Sequence, residues 1–194
     1  MGSAVPRIAI FVSGSGSNAQ AIIDRAADKQ EYSVVLLVAN KAKAYALERA
    51  RKAGISTHVL QRDDFYNTTG LLELMKQIDA VVLAGFLWLI PPYLLRAYPD
   101  RIINIHPALL PDYGGKGMYG DRVHTAVYED ECRYSGMTIH LVNEKYDEGR
   151  ILFQAHTLVE DCADADCVAE RVLRLEHSYY PAVIANWLQI MQPR

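Results

Sequence analysis

Cysteine is scarce in this chain: Cys132, Cys162 and Cys167 are the three in 194 residues. So few cannot build a disulfide framework, and an odd count fits a reducing compartment. Cys162 and Cys167 have no second pair to complete a zinc site, so all three are expected as structural or surface thiols, with no metal. Long apolar runs are missing too. The longest, Ala80 to Pro92, is far too short to span a bilayer, which argues against a membrane partner. Arg7 interrupts the short apolar stretch at the start, so no signal-peptide pattern forms. Nor is there an excess of one charge. Lys and Arg number 20 and Asp and Glu 23, a net charge of −3 that gives no basic footprint for nucleic acid. Repeats, linkers and low-complexity tracts are absent. The expectation is a single cytoplasmic domain that acts on small molecules.

What the chain does have is apolar residues, at 51%, in a regular alternation. Arg7 to Val12, Tyr32 to Ala39, Ser56 to Leu60, Ala80 to Ala84 and Arg101 to His106 read as buried strands. Between them, Asn18 to Lys29 (Asn18 as N-cap), Ala44 to Ala53 (stopped by Gly54) and Leu71 to Gln77 read as helices. Pro91 opens another. Continuous apolar strands joined by helices predict an open, mostly parallel α/β sheet with helices on both faces. The pattern then changes. A Gly-, Pro- and Tyr-rich loop, Pro107 to Gly120, leads to the strands Gly136 to Val142 and Arg150 to Thr157 and a long helix, Asp164 to Gln189. The later part is therefore a mixed C-terminal extension of the sheet.

Directly after the first strand comes Ser13-Gly14-Ser15-Gly16-Ser17-Asn18, and then a helix. A helix N-terminus with glycines and small hydroxyls is an anion site, most often for phosphate. The spacing is neither G-x-G-x-x-G nor a P-loop. A tight strand-to-helix turn would use the same residues.

Asn104 and His106 stand two apart at the end of a predicted strand, so both side chains point to one face. The carboxyl ends of strands are where open α/β sheets bind ligands. An amide donor beside an imidazole suits acyl transfer: both can stabilise an oxyanion, and the imidazole can move protons near neutral pH. The alternative is a core asparagine and a histidine that caps the strand end. A carboxylate near His106 would keep it protonated; Asp147, Glu144 and Glu148 are the candidates, and spacing does not choose among them. His140 reads as a supporting or core histidine, and His124 as a surface residue of a helix after the long loop.

With these pieces in place, the chain resembles the phosphoribosylglycinamide formyltransferases over almost its whole length. The resemblance is carried by Ser13 to Asn18 with Ala21-Ile22-Ile23, Leu47 to Ile55, Val81 to Phe86, Asn104-Ile105-His106-Pro107-Ala108-Leu109-Leu110-Pro111, and Glu176-His177 before Tyr180-Pro181. It implies a Rossmann-like fold with a phosphoribosyl-binding half, about 1–100, and a folate-binding and catalytic half, about 101–194. It also implies 10-formyltetrahydrofolate as co-substrate and glycinamide ribonucleotide as acceptor, in a monomer or homodimer. By motif match, Gly16, Ser17 and Asn18 would hold the phosphate and Glu176 the ribose. Asn104 and His106 would be catalytic, with Asp147 raising the pKa of His106. Leu87, Trp88, Leu89 and Ile90 would line the folate pocket with Asn104, Val142 and Glu144. The chain departs from the family at Leu87-Trp88, where Met-Arg is frequent, and at Asp147-Glu148-Gly149, where Asp-Gly-Gly is usual. Thr68 also stands where an arginine often lies near the folate tail.

Overall fold

A computed structural model describes residues 5–191. Seven strands form one sheet: β1 (Arg7–Val12), β2 (Ser33–Ala39), β3 (Ser56–Val59), β4 (Ala80–Leu83), β5 (Ile102–His106), β6 (Tyr134–Leu141) and β7 (Ile151–Leu158). Their order is β3-β2-β1-β4-β5-β6-β7. The first five are parallel, whereas β6 pairs antiparallel with both β5 and β7. The mixed extension begins where β5 meets β6, and the one sheet runs through both halves of the chain.

The helices are α1 (Ser17–Lys29), α2 (Ala46–Lys52), α3 (Arg62–Asn67), α4 (Gly70–Leu74), α5 (Pro92–Ala97), α6 (Asp121–Glu129) and α7 (Ala165–Ile190). Along β1, Ile8, Ile10 and Val12 pack on one face with residues of α1, α2, α6 and α7. Ala9 and Phe11 pack on the other with Phe65, Leu71 and Leu94 of α3, α4 and α5. Both faces are sealed, which is why the parallel strands read as unbroken apolar runs.

Three local expectations are corrected. The N-cap of α1 is Gly16, not Asn18. Gly16 is left-handed at φ 72°, and a Cβ there would overlap Ala46 of α2, so this turn requires glycine. Helix α3 was not expected; it buries only Phe65 and is otherwise polar, so it has no apolar period to detect. Cys162 and Cys167 are a disulfide rather than thiols. The Cys162 N–H bonds the Val159 carbonyl in a tight turn, and Asp164 caps α7 by accepting from Cys167 N–H at 2.8 Å. These two contacts bring the Cα atoms within 5.5 Å, inside disulfide range.

Strand order reverses between β1 and β4, which opens a crevice at their carboxyl ends. The loops after β1, β4 and β5 all end there.

Candidate active site

A cleft of about 450 Å³ lies at this crevice. Its apolar wall is the segment after β4, with Phe86, Leu87, Trp88, Leu89 and Ile90, faced by Val142 beyond β6. Residues 87–90 belong to no helix or strand. The segment is tied down at two points: Leu87 N–H donates to Ser13 Oγ at 2.9 Å, and the Leu89 carbonyl accepts from Tyr66 Oη at 3.2 Å. Trp88 packs on Phe65, Tyr66 and Phe86, with the Arg62 guanidinium 5.2 Å from its ring centroid.

The polar wall is built from β5, β6 and the turn after β6. Asn104 sits opposite His140 in the antiparallel register. Asn104 Nδ2 lies 3.1 Å from His140 Nε2, and His140 Nδ1 lies 2.9 Å from the Leu141 carbonyl. A carbonyl only accepts, so Nδ1 carries a proton, while Nε2 faces both the Asn104 amide and, at 3.5 Å, Asp147 Oδ1. This fixes the amide of Asn104 and leaves its second N–H turned toward Asp147 Oδ1, at a long 3.5 Å.

His106 is buried. Its Nε2 donates to the Tyr113 carbonyl at 2.8 Å, and its Nδ1 faces Asp147 Oδ2 at 3.5 Å. Two non-glycine residues in left-handed backbone hold this arrangement, Tyr113 at φ 54° and Asp147 at φ 57°. Gly115 N–H donates to Asp147 Oδ2 at 3.0 Å. Gly149 lets the turn close, because a side chain there would run into the Leu141 carbonyl.

Burial pulls the Asp147 carboxyl upward, but His140, His106 and the Gly115 N–H outweigh it and hold the group below its ordinary value. For His106 the balance falls the other way. Burial lowers its pKa more than Asp147 and the Tyr113 carbonyl raise it. Asp147 raises the His106 pKa as expected, but burial outweighs it, so the expectation that the carboxylate keeps the imidazole protonated is corrected: the resting ring is neutral, beside an ionised carboxylate.

At the other end of the cleft, Asn18 Nδ2 donates to Glu176 Oε2 at 2.7 Å. Glu176 is buried on α7, and burial pushes its carboxyl up to about 7, opposed by the Asn18 amide. Asn18 and Glu176 line the cleft, whereas Gly16 and Ser17 sit at the start of α1 outside its wall. The remaining expected residue, Glu144, is exposed and not part of the wall. Lys145 N–H bonds Asn143 Oδ1 at 2.9 Å, a local turn after which Lys145 and Tyr146 reach the cleft instead.

Sequence reasoning missed Tyr113, whose contribution is a backbone carbonyl, and misplaced His124, which is buried in the cleft wall. The alternation of α6, with Val123 and Val127 in the core, was the available signal for His124. Among the described residues, no helix is long and apolar enough to cross a membrane.

The formyl transferase family model matches residues 6–184. A phosphoribosylglycinamide formyltransferase of Arabidopsis thaliana, named as chloroplastic, is 45% identical over 92% of this chain. The chain spans 64% of that relative's length. The Escherichia coli protein named phosphoribosylglycinamide formyltransferase is 38% identical over 92% of this chain and 85% of its own length. The crystal structure of glycinamide ribonucleotide transformylase 1 from Symbiobacterium toebii superposes with a TM-score of 0.87 at 32% identity, covering 97% of this chain and 91% of that one. Matched in sequence and in fold over nearly its whole length, the chain belongs to the formyl transferase family, on the branch of the phosphoribosylglycinamide formyltransferases.

Proposed function

We propose that the chain transfers a formyl group from 10-formyltetrahydrofolate to the amine of glycinamide ribonucleotide, a step of purine (IMP) biosynthesis. One observation carries the assignment: Asn104, His106 and Asp147 converge on one cleft wall, with Asp147 Oδ2 3.5 Å from His106 Nδ1. Asn18 and Glu176 stand in the same cleft for a phosphorylated ribose, with Gly16 and Ser17 completing the phosphate turn.

The fit to a folate rests on the segment 87–90. It presents apolar side chains and a non-ladder backbone to the cleft, as a flat ring with polar edges requires. Formyl folate supplies the formyl carbon that the amine attacks. The second N–H of Asn104, held long from Asp147, donates to the oxygen as it gains charge. The His106 imidazolium, formed by uptake of a proton from solvent at Nδ1, is neutralised there by the Asp147 carboxylate, while Tyr113 keeps Nε2 in place. Asp147, ionised at neutral pH, also accepts the proton that the amine nitrogen sheds and returns it to the leaving nitrogen through water.

The test mixes purified protein with 10-formyltetrahydrofolate and follows release of tetrahydrofolate with and without glycinamide ribonucleotide. Release that requires the ribonucleotide is expected, with His106→Ala slower by about a hundredfold. Release without the acceptor would make the protein a hydrolase, and His106→Ala at wild-type turnover would remove the histidine from the chemistry.

A further inference from the structure

Three histidines, His106, His124 and His140, line the cleft, and they differ in one respect. Both ring nitrogens of His106 and of His140 face protein groups. His124, on α6, is 8% exposed, and its Nδ1 is sealed from solvent with no hydrogen-bond partner. No described residue takes a bond from its Nε2 either.

We propose that His124 is a further substrate-binding residue, whose Nε2–H donates to a carbonyl oxygen of the ligand in the cleft. A buried polar group with nothing to bond is costly, and an orphaned N–H is rarer than an orphaned acceptor. The sealed Nδ1 is therefore the lone pair, and the proton is on Nε2, the atom left to face the cleft. Burial lowers the pKa of His124, with Asp121 opposing and His106 adding to the fall, so the neutral ring is the form present. A neutral donor suits a neutral carbonyl, and the same cleft is also lined by Asn104, a second neutral donor. Resting on the function proposed above, the assignment has two sources for that oxygen: the formyl group and the glycinamide carbonyl.

The experiment is steady-state formyl transfer by wild type, His124→Leu and His124→Gln, with thermal unfolding of each. His124→Leu is expected to lose about tenfold or more in kcat/KM, with Tm unchanged or higher because an unpaired buried nitrogen is removed. His124→Gln, whose amide reaches the former Nε2 position, is expected within about threefold of wild type. A rise confined to KM for the ribonucleotide assigns the oxygen to glycinamide. A change in KM for formyl folate, or in kcat, assigns it to the formyl group. Wild-type kinetics in His124→Leu would overturn the proposal, as would equal losses in both variants with a lowered Tm, which mark a packing residue. A wild-type protein without transfer activity would overturn the proposed function itself, and this inference with it.

Discussion

Asn18 and Glu176, 158 positions apart in sequence, are joined by a 2.7 Å hydrogen bond from Nδ2 to Oε2 that ties the first turn of α1 to α7. The bond opposes, but does not cancel, the effect of burial, and Glu176 titrates near 7 against an ordinary 4.5. An acid raised in the folded state binds its proton more tightly there than in the unfolded chain. Its stabilising contribution is whole below the unfolded pKa and is lost as pH rises through about 7. Across that window the loss is on the order of 3 kcal/mol. The Tm of wild type should therefore fall between about pH 5 and about pH 8 more steeply than that of Glu176→Gln, which cannot ionise. Parallel Tm–pH curves for the two proteins would show that Glu176 titrates normally.

Gly16→Ala should damage fold and ligand binding together. The position is left-handed, and the added methyl would overlap Ala46 of α2. Strain and displacement at such a site cost about 2 kcal/mol or more, readable as a lowered denaturation midpoint. Because Gly16 caps the helix that begins at Ser17, KM for the ribonucleotide should rise more than KM for formyl folate. Gly14 is the control. A Cβ there meets nothing within 4 Å, so Gly14→Ala should be mild. A Gly16→Ala protein as stable as Gly14→Ala would refute the overlap.

The contrast between such positions explains what the sequence could disclose. The strands were legible because β1, β2, β4 and β5 are buried on both faces, which leaves an unbroken apolar trace. Asn104 and His106 were legible because period two puts them on one face of β5. Asn18 was read as a cap because it precedes an apolar run, yet its side chain reaches a residue on α7. No local pattern encodes that distance. The direction of the His106 shift was misjudged for a related reason. Proximity to Asp147 can be guessed from a motif, but desolvation depends on how completely the surrounding elements close over the ring. Tyr113 acts through its carbonyl, which every residue has, so side-chain identity did not mark it.

Tyr113→Phe separates that carbonyl from the hydroxyl that positions it. The Tyr113 hydroxyl donates to Asp130 Oδ2 at 2.7 Å and lies 3.1 Å from Cys132 Sγ. The carbonyl of the same residue accepts from His106. Loss of the hydroxyl removes about 1 kcal/mol of hydrogen bonding from a residue already in left-handed backbone. A fall in Tm of a few degrees and a drop in kcat of up to about tenfold are expected, well short of the effect of His106→Ala. Lowered Tm with wild-type kcat would mean that the loop aims its carbonyl without the hydroxyl.

Asp147→Asn is the most direct test of the charge in the site. Asparagine tolerates left-handed backbone about as well as aspartate, so the turn at φ 57° should persist and Tm should change little. Alanine would confound lost charge with backbone strain. The substitution leaves His106 without its carboxylate neighbour while burial still lowers its pKa, so the imidazole becomes harder to protonate. The attacking amine also loses its proton acceptor. A fall in kcat of about a hundredfold or more at neutral pH is expected, on the scale of a lost electrostatic contact in the transition state. The pH profile supplies a second reading. Because Asp147 is held below the ordinary carboxylate range, it stays ionised as pH falls toward that range, and wild type should keep the Asp147-dependent part of its rate there. In the asparagine variant no shift to higher pH should restore the rate, since the group cannot ionise. Turnover within about threefold of wild type would leave Asn104 and the neutral His106 as the sufficient catalytic pair and reduce Asp147 to an anchor for the Gly115 N–H.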